Sequence, residues 1–395
     1  MKILFLHTFY QQKGGEDAVF EQDMQIMQEV ADTAGIRFRN KTGWRGALQF
    51  FMSIWNISAG HKLRKAIRTE RPDILHLHNL HYAVGPIAIR IAKKEGIPVV
   101  MTLHNFRLLD PSGILSPENH TGDGEGKNFP WKAVRNKVYR NSYLQTFWLA
   151  FIVWYHKKIG TWQLVDKFLV HTPFTKNVFI NSIPEIPADK YTVHPNFVYP
   201  NDVKPGKRNE NFLFVGRLSA EKGVSLLLEA FRNSRHHLLI AGDGPLTDTV
   251  LDFCREHRNV RYLGLLTKEQ VLRTMNHSTA LIFPSIWYEG MPITILEAFS
   301  LKLPVIASNT GAMSVMIENG YNGLLFEMGN PTSLANQLDY WNSLGDDEKK
   351  NYSENAKKEF EEKYSPGQYR KQLLESYENV LQKHTGYALQ EVSIV

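Results

Sequence analysis

The sequence predicts an α/β protein made of two doubly wound parallel-sheet units. Three observations carry this. Short apolar runs alternate with helical stretches along the chain, the runs fall into two series, and a proline-punctuated segment separates the series. At 395 residues the chain is also too long for one ordinary core, and typical domain sizes suggest two.

The first series is Ile3 to His7, Ile74 to His78, Val99 to Leu103 and Lys167 to His171. Helical crossovers between such runs imply parallel strands. MKILFLH opens like a leader peptide, yet its apolar run stops at His7 with no small-residue cleavage site, so it reads as the first buried strand. The second series is Phe212 to Gly216, His237 to Gly242, Val260 to Leu263, Ala280 to Pro284, Val305 to Ser308 and Gly323 to Phe326. Between the two, HPNFVYPNDVKPGKRNE has little periodicity and reads as a linker near residues 195 to 210. The expected division is 1–195, 196–365, and a closing segment 366–395 with a helix from about Gly367 to Gln382 and a loose tail. Open α/β sheets bind ligands beyond the carboxyl ends of their strands, so a deep site is expected between the units.

Composition narrows the class. Hydrophobic residues at 43% and charged residues at 22% suit a globular protein. Cys254 is the only cysteine, which excludes an internal disulfide and points to the cytoplasm. A formal charge of +6 is compatible with a phosphate-bearing substrate, an anionic membrane face or nucleic acid. No basic stripe interleaved with aromatics occurs, which disfavours nucleic acid. Between Tyr143 and Trp154 the run LQTFWLAFIVW is nearly unbroken in apolar and aromatic residues, and His156, Lys157 and Lys158 follow. It is shorter than the roughly 20 residues a bilayer span needs. Either a helix lying in a membrane interface or a buried crossover helix fits it, since the two look alike by composition.

The strongest chemical signal is Pro284-Ser-Ile-Trp-Tyr-Glu289-Gly-Met-Pro-Ile-Thr-Ile-Leu-Glu297, a strand end, a glycine-bearing turn and a helix start. A helix N-terminus offers free N–H groups and a positive dipole end to an anion, and Pro292 can open that helix. Glu297 then lies about a turn inside, where a carboxylate can take two hydrogen bonds from a ribose diol. Next comes Gly216-Arg217-Leu-Ser-Ala-Glu-Lys222-Gly223, in which two cations follow a strand end five residues apart. An arginine fork and a lysine point charge there can converge on a pyrophosphate. Gly242-Asp-Gly244-Pro245 marks a turn. It lacks the third glycine of a dinucleotide fingerprint, and no G-x-x-x-x-G-K-[ST] loop occurs, so NAD and ATP are disfavoured.

The pattern E-G-x-P-x-x-x-x-E after a strand ending in Pro-Ser resembles the retaining glycosyltransferases of GT-B fold, most closely glycosyltransferase family 4. The resemblance spans nearly the whole chain in architecture, with its diagnostic residues in the C-terminal half. It implies two Rossmann-like domains facing a cleft: an acceptor-binding domain over 1–195, a nucleotide-sugar-binding domain over 196–365, and a last helix crossing back to the first. It implies that Arg217 and Lys222 hold the donor diphosphate, that Glu289 approaches the transferred sugar, and that Glu297 holds the ribose. Gly216, Gly290, Met291, Pro292, Ile293 and Thr294 then supply donor contacts, and the Gly244 turn lies near the base.

On the N-terminal side the resemblance implies that Gly15 is a donor contact and that His104 meets the transferred sugar, and His78 and Asn105 are expected to border the acceptor. Ordinary turn and strand-end roles remain alternatives for Gly15 and His104. The expected donor is a UDP-sugar or GDP-mannose and the expected acceptor a glycan or lipid-linked glycan, in cell-surface polysaccharide synthesis on the cytoplasmic side, with peripheral membrane contact also expected.

His76, His78 and His81 invite a zinc reading, as do His120, Asp123 and Glu125 in the loop from Leu109 to Trp131, which is expected to be mobile and to face the acceptor. No companion cysteine or carboxylate stands at ligand spacing, so no metal is expected. No carboxylate pair is placed for a covalent intermediate, and a front-face route is expected in which the leaving diphosphate helps take the acceptor proton. Two other readings stand beside transfer: a sugar-nucleotide epimerase of the same fold, and a non-catalytic nucleotide-binding membrane module.

Overall fold

The computed structural model describes residues 1–10, 14–115, 128–200 and 206–385. Two compact units emerge. One gathers Met1–Ile114, the described residues up to His194 and those from Arg370; the other gathers Leu115 and Pro195–Tyr369.

The first unit holds an all-parallel sheet of β1 (Lys2–Phe9), β2 (Asp32–Arg39), β3 (Ile74–Leu77), β4 (Val99–Leu103), β5 (Lys167–Val170) and β6 (Tyr191–Val193), in the order β2-β1-β3-β4-β5-β6. Its central strands are mostly apolar, as helices on both faces require, with His7, His76 and Thr102 among the buried polar exceptions. β3 and β4 are buried at every residue. β2 and β6 are the two strands that the apolar runs did not announce, and both lie at sheet edges. An edge strand is covered less: β2 alternates between partly and fully exposed positions and contains Gly35, and β6 has three residues.

The second unit holds β7 (Phe212–Val215), β8 (Leu238–Ala241), β9 (Val260–Gly264), β10 (Ala280–Phe283), β11 (Val305–Ser308) and β12 (Gly323–Phe326) in the order β12-β11-β10-β7-β8-β9, again all parallel. This is the strand order of dinucleotide-binding folds, with the topological switch between β7 and β10. In the first sheet the switch lies between β1 and β3. Ligand crevices open at such points, beyond the carboxyl ends of the flanking strands. The last helix, Pro366–Thr385, starts in the second unit, and Tyr377 on it is buried in the first, its hydroxyl 2.7 Å from His76 Nδ1.

Candidate functional site

In the second unit a cavity of about 220 Å³ opens at the β7/β10 switch. Of the expected donor residues, Gly216, Arg217, Lys222, Glu289, Pro292, Ile293 and Thr294 line it. The chain delivers them from both switch strands. After β7 the backbone runs through Gly216 and Arg217 into a short turn, Ala220–Lys222, closed by Gly223 at φ +71°. A Cβ on Gly223 would stand 1.9 Å from the Pro284 carbonyl, so the close approach of the two strand ends requires glycine there. Across that contact, Lys222 Nζ lies 2.6 Å from Glu289 Oε1, which also accepts from Ser285 Oγ at 2.8 Å. Ser285 Oγ and the Ile286 amide reach the Glu221 carbonyl, both at 3.1 Å, tying the Lys222 turn to the β10 exit. Arg217 is exposed and meets no carboxylate among the described residues.

The helix Ile293–Ser300 points its N-terminus into this cavity. Pro292 stands at its N-cap rather than at its first position, a shift of one residue from the sequence expectation. Glu297 is buried inside the helix and pairs with Lys268, the first residue of the helix Lys268–His277. Sequence reasoning missed Lys268, whose helix is polar and gives no chemical motif. Gly290 and Met291 do not line the cavity: Met291 is buried, with the Asn196 amide 3.1 Å from its sulfur. Gly244 does not line it either. A Cβ there would stand 2.5 Å from the Leu218 carbonyl, and the Leu218 amide donates to the Asp243 carbonyl. The glycine-rich turn therefore supports the Arg217 loop from beneath.

In the first unit a smaller cavity of about 90 Å³ is lined by Glu16, His78, His104 and Asn105 at its polar end and by Leu149 and Ile152 at its apolar end. Gly15 begins the helix Gly15–Met27 beside Glu16 and does not line the cavity. Asn105 Nδ2 donates to Glu16 Oε1. Both ring nitrogens of His104 have imidazole neighbours: His78 Nδ1 at 3.0 Å and His171 Nε2 at 3.4 Å. Burial holds His104 and His78 well below the ordinary histidine pKa, and neighbouring imidazoles add to it.

The expectation that no carboxylate accompanies His76 and His78 is overturned. A companion carboxylate does stand near His76 and His78: Asp23, from the helix after β1, comes within 3.5 Å of His78 Nε2. Yet His76 is engaged through both nitrogens, by Tyr377 and by Thr102 Oγ1 at 2.8 Å, which is a hydrogen-bonded core arrangement. His81 faces Arg107 Nη1 at 2.7 Å. His120, Asp123 and Glu125 lie outside the described residues.

The apolar stretch forms the helix Tyr143–Lys158. One face is core, with Leu149, Ala150, Ile152 and His156 buried; Tyr143 and Leu144 are exposed. Trp148 packs on Phe51 at a ring separation of 4.9 Å and donates to the Phe50 carbonyl at 3.0 Å. That joins the helix Gly43–Met52, which buries no residue and exposes Trp44, Leu48, Phe51 and Met52. Residues 33–69 and 128–165, which supply this surface, contain many Lys and Arg and no Asp or Glu. No helix among the described residues is long and apolar enough to cross a membrane.

Comparison with known proteins bears on this geometry. The family model for Glycosyltransferase Family 4 matches residues 27–202, and that for Glycosyl transferases group 1 matches residues 199–359. An uncharacterized glycosyltransferase of Methanocaldococcus jannaschii is 31% identical over 324 residues, covering 80% of this chain and 79% of that protein. The UDP-Gal:alpha-D-GlcNAc-diphosphoundecaprenol alpha-1,3-galactosyltransferase of Escherichia coli is 27% identical over 295 residues, covering 70% of this chain and 68% of its own. Among solved structures, Anabaena HepE in complex with UDP and glucose matches with a TM-score of 0.67 over 96% of this chain and 100% of that one. At 17% identity this likeness shows the fold.

Proposed function

Because the chain belongs to the family 4 and group 1 glycosyltransferases, of GT-B fold, we propose that it transfers a sugar from a nucleoside-diphosphate sugar, with retention, to a glycan or lipid-linked acceptor. The observation that carries the reading is the cavity at the β7/β10 switch. There one arginine, one lysine and a helix N-terminus surround a space suited to a diphosphate. In this reading Arg217 forks onto the diphosphate, and Lys222 leaves Glu289 to neutralise the charge that grows as the glycosidic bond breaks. Glu289, freed from Lys222, takes hydroxyls of the transferred sugar, and Glu297 exchanges Lys268 for the ribose diol. Protein cations carry the diphosphate, so no metal is needed. The bound UDP of HepE and the UDP-Gal donor of the Escherichia coli relative support a UDP-sugar as the first donor to try.

The acceptor belongs to the first unit, with His78 and Asn105 beside it and His104 meeting the sugar. A lipid-linked acceptor and peripheral attachment to the cytoplasmic membrane face are supported by the carboxylate-free aromatic surface of the helices Gly43–Met52 and Tyr143–Lys158. The diphosphoundecaprenol acceptor of the Escherichia coli relative points the same way. Incubation of the protein with UDP-sugars and GDP-mannose, with and without a polyprenyl-diphosphate-linked sugar, tests this. Transfer only when the acceptor is present, with the donor's anomeric configuration kept in the product, supports the proposal. An isomerised sugar nucleotide formed without acceptor means an epimerase instead.

A further inference from the structure

Four contacts run in series through the first unit. Asp23 Oδ2 faces His78 Nε2 at 3.5 Å, His78 Nδ1 faces His104 Nε2 at 3.0 Å, His104 Nδ1 faces His171 Nε2 at 3.4 Å, and His171 Nδ1 faces the His194 carbonyl at 3.1 Å. Asp23, His78 and His171 are buried; His78 and His104 both line the cavity, and of the four residues His104 is the partly exposed one.

A backbone carbonyl only accepts, so His171 must carry hydrogen on Nδ1 and leave Nε2 bare. His104 must then donate from Nδ1, and His78 likewise, because a neutral imidazole holds one hydrogen and the position of each is set by its neighbour. The series ends with a bare His78 Nε2 opposite an Asp23 oxygen, two acceptors face to face. Four links need four hydrogens, and three neutral imidazoles bring three.

We propose that Asp23, His78, His104 and His171 form one proton-sharing chain that holds a fourth proton between Asp23 and His78 and thereby fixes His104 as the Nδ1–H tautomer. Asp23, His78 and His171 are positioning residues: they present His104 Nε2 as an acceptor. A hydroxyl that enters the cavity and displaces His78 meets a bare nitrogen that can accept its hydrogen bond. Loss of the fourth proton leaves an ionised Asp23 demanding hydrogen on His78 Nε2. Meeting that demand reverses all three tautomers and breaks the carbonyl link. Burial disfavours the imidazolium form throughout, which sets the fourth proton on the carboxyl side. Four other titratable groups are packed around the chain: Tyr377 acts electrostatically with Asp23, and the His194 ring with His171. His7 pairs with Asp17 at 2.6 Å, and His76, whose ring is 4.5 Å from His78, is held by Tyr377 and Thr102.

The chain's part in sugar contact rests on the proposed function, but its proton count does not. Side-chain ¹⁵N spectra of histidine-labelled full-length protein test the count. At neutral pH His78, His104 and His171 should all carry hydrogen on Nδ1, and on raising the pH all three should reverse together in one transition. Asp23→Asn supplies the fourth hydrogen from its amide, so the Nδ1–H pattern should persist and the transition should vanish. Hydrogen on Nε2 of His104 in the neutral wild-type protein, a decision that needs no variant, overturns the proposal. So does an unchanged transition in Asp23→Asn. Should the tautomers be as stated while His104→Ala transfers sugar at the wild-type rate, the chain stands and the sugar-contact role of His104 falls.

Discussion

Lys222 Nζ lies 2.6 Å from Glu289 Oε1, so two residues 67 positions apart close an ion pair in the lining of the β7/β10 cavity. Each is the other's counterion while no diphosphate is bound. Removing Lys222 therefore affects two things of different size. The pair is partly solvated, with side-chain exposures of 28% and 21%, and such pairs are worth roughly 0–1 kcal/mol to folding. Charge stabilisation at a leaving group is worth more. Lys222→Ala should lower the transfer rate by about 10²–10³-fold, with a shift of the unfolding midpoint of no more than a few degrees. Steady-state kinetics and calorimetry on one preparation check both.

Gly223 and Gly15 should behave oppositely. Gly223 combines a left-handed backbone with a 1.9 Å approach to the Pro284 carbonyl, and Gly223→Ala should cost about 2–4 kcal/mol. At Gly15 a Cβ meets nothing within 4 Å, and Gly15→Ala should be neutral or stabilising by about 0.5–1 kcal/mol as a helix residue. Urea unfolding of the two variants separates them.

Acid should weaken the first unit. Burial lowers His76 and His194 to about 3 and His171 to about 4. Their unfolded forms take up protons near the ordinary value of about 6.5. Between those limits the unfolded state binds more protons than the folded one. Stability is thus fully present above about pH 6.5 and falls as the pH drops toward 4, by up to about 1.4 kcal/mol per unit for each such histidine. A thermal unfolding series from pH 8 to 5 should show a midpoint that falls as the pH drops below about 6.5, the range in which these three histidines act.

Glu297→Ala should weaken UDP binding by roughly ten- to a hundredfold, the worth of hydrogen bonds to a charged group. It should leave the Arg217 loop in place, since Glu297 pairs with Lys268 and not with that loop. Isothermal titration measures the affinity, and an unchanged affinity removes Glu297 from the ribose.

Membrane attachment should depend on charge and on the aromatic face together. Trp44→Ser with Phe51→Ser should reduce sedimentation with vesicles rich in anionic lipid, and raising the salt should do the same to the wild-type protein. Binding that is equal on neutral and anionic vesicles goes against the charge argument.

Ten of the twelve strands, the edge strands β9 and β12 among them, were legible because each carries a short apolar run. β2 and β6 were not, since an edge strand needs no such run. In the C-terminal unit the turn and helix-start motifs announced the residues around the cavity, because glycine positions and helix starts are local features. Lys268, which holds Glu297, was hidden: its partner is 29 residues away and its own helix reads as solvated surface. Asp23 was hidden for a similar reason. It lies on the helix after β1, and only the β1/β3 pairing brings that helix beside His78, so no spacing in the sequence joins them.

The central claim is that Arg217, Lys222 and the start of the Ile293–Ser300 helix together grip a diphosphate. Isothermal titration of UDP, GDP and ADP into the wild-type protein and into an Arg217→Ala, Lys222→Ala double variant addresses it directly. The account predicts that the wild-type protein binds at least one of them and that the folded double variant binds it at least about a hundredfold more weakly. Equal affinity in the two proteins, or no binding of any of the three by the wild-type chain, would contradict it.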